Sequence, residues 1–158
     1  MKTRTNQPVT TYDLEELEVS GNAKLFENIV DKDGHARFIE GDITPETISG
    51  VSTPYAKWSL SGSHLLIVLC ESIADGTTAQ FKHASLTLPN WVLDKLVPIY
   101  SDIVARMAMT YYGSDGTAQS ATSYLTKTDT GLTIYISAVT LTADRTGRLQ
   151  FDLLVDNE

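Results

Sequence analysis

Arg148-Leu149-Gln150-Phe151-Asp152-Leu153-Leu154-Val155 decides the fold: Leu149, Phe151, Leu153 and Val155 share one parity, and Gln150 and Asp152 take the other. Side chains alternate across a strand, so this segment reads as a half-buried β-strand with one apolar face. Working outward, Ile134 and Ile136 share a face while Tyr135 takes the opposite one. The run Leu65-Leu66-Ile67-Val68-Leu69 is continuous, which places it as a central strand covered on both sides. From Tyr55 onward at least six strands are expected, roughly at 55–60, 64–73, 78–88, 103–112, 118–127, 132–141 and 148–155. Ser61-Gly62-Ser63, Asp75-Gly76, Gly113-Ser114-Asp115-Gly116, Asp129-Thr130-Gly131 and Thr146-Gly147 punctuate them with residues that tolerate positive φ. Short strands at this spacing predict a mostly β chain folded as an antiparallel, jelly-roll-like β-sandwich.

One segment breaks the pattern. Leu88-Pro89-Asn90-Trp91-Val92-Leu93-Asp94-Lys95-Leu96 opens on a proline suited to a first helical turn and stops before Pro98, which predicts a single short helix. Its apolar edge, Trp91, Val92 and Leu96, is expected to cap one end of the sandwich.

Upstream, residues 1–22 are polar, with Tyr12, Leu14, Leu17 and Val19 as the residues to bury, and read as an N-terminal arm. Lys24 to Asp42 predicts a hairpin, Leu25–Val30 and Arg37–Glu40 turning at Asp33-Gly34. Gly41 to Pro54 reads as a connector. The expected organisation is an attachment segment over residues 1–54 and a β-sandwich display domain over residues 55–158.

The 158 residues are 42% apolar and 20% charged, the composition of a packed globular chain. A formal charge of −8 and a pI near 4.7, with the Lys and Arg scattered, argue against nucleic acid as a partner. No signal peptide is visible, and the apolar run Leu65–Cys70 is too short to span a bilayer, so no membrane partner is expected. The single Cys70 cannot form an intramolecular disulfide and, ending an apolar run, reads as a small core side chain.

Local signatures of chemistry are missing from the sequence. His35, His64 and His83 stand apart without zinc-ligand spacing and read as solvent-facing or satisfied histidines. Asp31-Lys32-Asp33-Gly34 lacks the register of an EF-hand and reads as a hairpin turn. Neither G-x-S-x-G nor a phosphate-binding glycine loop occurs. Asp115 with Asp129 is a conceivable carboxylate pair, but 20 acidic residues make some pairing inevitable. We therefore expect no enzyme, no cofactor and no metal. Tyr111, Tyr112, Tyr124 and Tyr135, with Trp58 and Trp91, suit either sheet packing or a platform for sugar rings.

The portion from Tyr55 to Glu158, opened by Trp58-Ser59-Leu60-Ser61-Gly62, interrupted by Leu88-Pro89-Asn90-Trp91 and closed by Arg148–Leu154, resembles small bacteriophage structural proteins of the head-fibre, tail-fibre or decoration type. It also looks like the jelly rolls of the C1q and tumour-necrosis-factor type. The resemblance implies a homotrimer and a place on the virion, assembled in the host cytoplasm. Contacts to other virion proteins through the N-terminal segment follow from it, with Tyr12, Leu14 and Leu17 as anchors. A receptor- or carbohydrate-binding module is the alternative. Its expected site lies at one end of the sandwich, built from exposed tyrosines such as Tyr111 and Tyr112 and the acidic turns carrying Asp115 and Asp129.

Overall fold

A computed structural model describes residues 33–155, and the chain divides into two compact units, residues 1–39 and 40–158. In the first, Gly34 has a φ of +83°, as a turn there requires, while the arm and the hairpin's first strand lie outside the described residues.

Nine strands run in chain order: β1 (Phe38–Asp42), β2 (Thr44–Pro45), β3 (Val51–Ser61), β4 (His64–Ile73), β5 (Thr78–Thr87), β6 (Ile103–Gly113), β7 (Ala118–Lys127), β8 (Gly131–Thr140) and β9 (Arg145–Leu154). They form one sheet ordered β1-β3-β4-β9-β6-β7-β8-β5-β2, with antiparallel neighbours from β3 through to β2. β9 follows β4 over its whole length, from His64↔Leu154 to Ile73↔Arg145, but meets β6 only between Tyr111↔Gly147 and Gly113↔Arg145. The sheet folds over at that short junction into two facing layers, the jelly-roll-like sandwich the alternation predicts. On the opposite side the chain nearly closes the structure: Ile43 N–H donates to Ala56 O of β3, and Glu46 N–H donates to His83 O of β5.

The expected connector is thus part of the sheet. It supplies β2 and the start of β3, where Pro54 sits within a register shift between Ser52 and Tyr55, a place where a missing N–H is tolerated. The helix, α1 (Asn90–Leu93), is shorter than expected. Past it the hydrogen bonds tighten to three-residue steps, Lys95 to Val92 and Leu96 to Leu93, and Lys127 Nζ donates to the Leu96 carbonyl. Val92, Leu93 and Leu96 are buried, whereas Trp91 is half-exposed with the Lys95 ammonium 5.6 Å from its ring centroid.

β9 alternates as its sequence demands, with Leu149, Phe151 and Val155 buried and Gln150, Asp152 and Leu154 exposed. On β4 the inward row is Leu65, Ile67, Leu69, Glu71 and Ile73. Parity therefore turns Cys70 outward, half-exposed, which corrects the expectation of a core thiol. It also carries a carboxylate into the core. Glu71 Oε1 lies 2.6 Å from His83 Nδ1 of β5, and the Tyr111 hydroxyl of β6 donates to Glu71 Oε2 at 3.2 Å. His83 reaches this position through a bulge: Lys82 pairs with Tyr135 and Ala84 with Ile134, so His83 is the extra residue and both it and Ala84 are buried. Its Nε2 is buried without a partner, so His83 is neither solvent-facing nor fully satisfied as the sequence suggested.

Tyr111 fits because residue 147 has no side chain: a Cβ there would lie 2.6 Å from Tyr111 Cδ1 and 2.9 Å from Met109 Cε. Gly147→Ala is expected to destabilise the fold by about 1–3 kcal/mol, read from urea unfolding, because ring and backbone cannot both stay in place. Burial, and secondarily the charge of Glu71, push the Tyr111 hydroxyl well above the ordinary tyrosine range. The unfolded chain then loses this proton before the folded one. Its stabilising effect is complete below pH of about 10 and falls away as pH rises beyond that. Unfolding midpoints taken from pH 8 to 11 are expected to decline less steeply in Tyr111→Phe than in the wild-type chain.

Candidate functional site

Where β6 leaves β9, an open groove of 810 Å³ runs along the strand ends, lined by Ser52 of β3, Ser72 and Ile73 of β4, Tyr112 of β6, and Asp144 and Thr146 at the start of β9. A second recess of 530 Å³ shares Ser72, Tyr112 and Thr146 with it and extends to Cys70, Thr110 and Arg148. The surface is therefore continuous across the outer side of β4, β9 and β6. Tyr112, 65% exposed, projects from it, since Tyr111 holds the inward parity.

The walls are braced from beneath by Arg145, whose side chain is almost wholly buried. Its Nε donates to Thr142 O at 2.7 Å, Nη1 to Thr117 O at 2.8 Å, and Nη2 to Thr117 Oγ1 at 2.7 Å. One guanidinium thus ties the β6–β7 turn to the loop before β9. Asp115 joins the same assembly: it accepts from Thr117 N–H at 3.0 Å and Thr117 Oγ1 at 2.8 Å and lies 3.7 Å from Arg145 Nη2. Those Thr117 hydrogen bonds, helped by the guanidinium, hold its carboxyl below the usual carboxylate range.

A reciprocal pair fixes the other wall. Asp75 N–H donates to Asp144 Oδ1 at 3.0 Å, and Ala143 N–H donates to Asp75 Oδ1 at 2.7 Å. Ala143 is held at a φ of +65°, a conformation unfavourable for a residue with a Cβ and maintained here by its surroundings. Serine and threonine hydroxyls, one exposed aromatic ring and carboxylates on rigid turns suit a hydroxylated ligand or a polar protein surface.

The structure separates the residues that the sequence grouped. Tyr112 and Asp115 lie at this end of the sandwich. Tyr111 is fully buried and cannot contact a partner, because alternation along β6 sends it into the core. Asp129 belongs to the β7–β8 turn, at the far end of a ten-residue strand and so about 30 Å away. There it lines a small recess with Asn90, Asp94 and Lys127. The two acidic turns therefore do not form one site, and Asp115 and Asp129 are not a carboxylate pair. Tyr124 and Tyr135 stack on each other, centroids 5.4 Å apart and planes 9° off parallel, on the outer face of the second layer, and Trp58 is buried. His64 opens β4, exposed, 3.2 Å from Asp152. Tyr12, Leu14 and Leu17 lie outside the described residues. Among the described residues, no three His, Cys, Asp or Glu side chains converge as a metal site.

Arg145, which braces the groove, was not singled out from sequence, although it shares the inward parity of Leu149 and Phe151.

No protein-family model matches the chain, and no curated protein matches it. Among solved structures it is similar to the bovine atadenovirus type 4 fibre head protein, at 11% identity and a TM-score of 0.37, over 71% of this chain and 97% of that one. It is also similar to the reovirus attachment protein sigma1, solved in complex with alpha-2,3-sialyllactose, at 10% identity and a TM-score of 0.34, over 98% of this chain and 80% of that one. Likeness at this level assigns no activity and no ligand to this chain.

Proposed function

We propose that this chain is a non-enzymatic structural protein of a bacteriophage virion, a fibre or decoration component whose sandwich presents the Tyr112 groove to a receptor. The observation that carries the display role is the groove itself, open to solvent and braced by the buried Arg145. Binding to a wall that is already ordered loses little entropy, the property a recognition surface needs. The hydrogen-bonded trio Glu71, His83 and Tyr111 is sealed in the core, away from the groove. The virion setting rests on the resemblance of residues 55–158 to fibre and decoration proteins. With it come a homotrimeric display domain and attachment through Tyr12, Leu14 and Leu17.

Carbohydrate binding is the second reading, favoured by the exposed Tyr112 ring beside the Ser52, Ser72 and Thr146 hydroxyls. Two variants separate attachment from recognition. Deleting residues 1–22 is expected to abolish incorporation into particles and to leave binding to an array of neutral and acidic oligosaccharides unchanged. Tyr112→Ala is expected to weaken retention on that array at least tenfold, about 1.4 kcal/mol, with incorporation preserved. Incorporation that survives the deletion would sink the attachment role, and undiminished array binding by Tyr112→Ala would sink the groove as the site.

A further inference from the structure

Between α1 and β6 the chain places three large apolar side chains in water within four residues: Val97 at 78% exposure, Ile99 at 68% and Tyr100 at 77%, with the exposed Pro98 among them. The backbone orders this ridge. Ile99 N–H and Tyr100 N–H both donate to Ile103 O, at 2.7 and 3.4 Å, Ile103 N–H donates to Tyr100 O at 2.9 Å, and Lys127 N–H donates to Asp102 O at 2.7 Å. Ser101, in the turn, is held at a φ of +50°, a left-handed conformation that costs energy for a residue with a Cβ. Folding gains nothing from three apolar side chains left in solvent, and a contiguous apolar patch kept in one shape at the surface marks an interaction site. The ridge opens β6 at Ile103 and the Tyr112 groove lies at its Gly113 end, so the two are about 30 Å apart on opposite ends of the sandwich.

We infer that this ridge seats in an apolar socket, edged by basic side chains, on the protein that carries the domain in the particle. The inference rests on the display reading above, since a carrier that holds the domain by the ridge leaves the groove at the other end free. Charge selects the occupant. Asp94, Asp102 and Asp129 are exposed at this end, and among the described residues none of the three is in an ion pair. The neighbouring cations are in use: Lys127 Nζ donates to Leu96 O at 3.1 Å, and the Lys95 ammonium lies 5.6 Å from the Trp91 ring centroid. A second copy would set the same three carboxylates against these, and an anionic lipid surface would repel them too. A basic rim pairs with them instead, while an apolar floor takes Val97, Ile99 and Tyr100 out of water. The turn is ordered before it binds, so little entropy is lost on docking.

Hydroxyl-radical oxidation of Tyr100, read by mass spectrometry in the free full chain and in particles that carry it, tests the contact directly. Tyr100 is expected to oxidise about tenfold more slowly in the particle, as a fully desolvated anchor would. Particles made with full-length Ile99→Glu or Asp102→Lys in place of the wild-type chain are expected to hold about tenfold fewer copies, with the far-ultraviolet dichroism spectrum and oligosaccharide-array binding of the free variants unchanged. Ser120→Glu, exposed on another strand, is expected to be incorporated as the wild type is. If Ile99→Glu misfolds, Val97→Glu at the most exposed position gives the same reading. Wild-type chain in particles with Tyr100 oxidised at the free rate, or folded ridge variants incorporated at wild-type copy number, overturns this inference and leaves the display reading standing. A wild-type chain missing from particles overturns both. Slow oxidation in the free chain also overturns it, assigning the ridge to a second copy if the rate depends on concentration and to the chain's own N-terminal residues if it does not.

Discussion

The carboxylate of Glu71 is the constraint on which the rest of the sandwich depends. A carboxyl group at 2% exposure is tolerable only when its oxygens have polar partners, and two arrive from different strands, His83 Nδ1 from β5 and the Tyr111 O–H from β6. Each donor imposes a condition elsewhere. His83 reaches inward only because β5 carries an extra residue, and Tyr111 only because β9 has glycine at 147. A one-residue slip of β4 would bring Cys70 inside and leave His83 and Tyr111 facing nothing that accepts, so the network penalises the wrong register far more than an apolar core would. Its value lies in uniqueness more than in net stability, since a buried polar network of this kind gains little over well-packed apolar groups.

Arg145 extends the same logic to the rim. It is a second buried charge, set at the end of the sandwich where β6 and β9 part, and its donors are used on carbonyls and hydroxyls of the two adjoining turns. Loops are ordinarily the mobile part of a β-sandwich. Here the turns at 114–117 and 142–144 share one guanidinium, and Asp75 and Asp144 bind each other's turns, so this end of the molecule is as constrained as the strands that lead to it.

The strands were readable because period-two alternation is a local property. β4 and β7 fall where their sequences place them, and the buried face of β9 is the one its parity dictates. The same parity contained Glu71 and Arg145: each continues the inward row of an apolar strand, and a charge on that row signals a buried partner. That signal was overridden on β4, where a run apolar on both faces drew Cys70 into the core in place of Glu71. The bulge at His83 was a different matter, because nothing in Lys82-His83-Ala84 shows that one residue is extra until β8 is aligned beside it. Grouping Asp115 with Asp129 failed for a reason of topology, since consecutive hairpin turns fall at opposite ends of the strand between them. Tyr111 and Tyr112 were treated alike although adjacent residues on a strand must part, one to the core and one to solvent.

Charge then limits how such a domain can meet its partners. Several cations are already committed: Arg145 is sealed beneath the groove, Lys57 is held by Asp42, and Lys82 by Glu46 at 2.7 Å. A chain of net charge −8 is left with a predominantly acidic field, which keeps copies apart at long range and favours solubility. Close contact between copies is then favourable only where opposite charges already balance within the patch and apolar surface lies between them, so that desolvation is offset by burial. The Tyr112 groove, walled by hydroxyls and a carboxylate, is better suited to a hydrated, polar ligand than to a flat apolar surface.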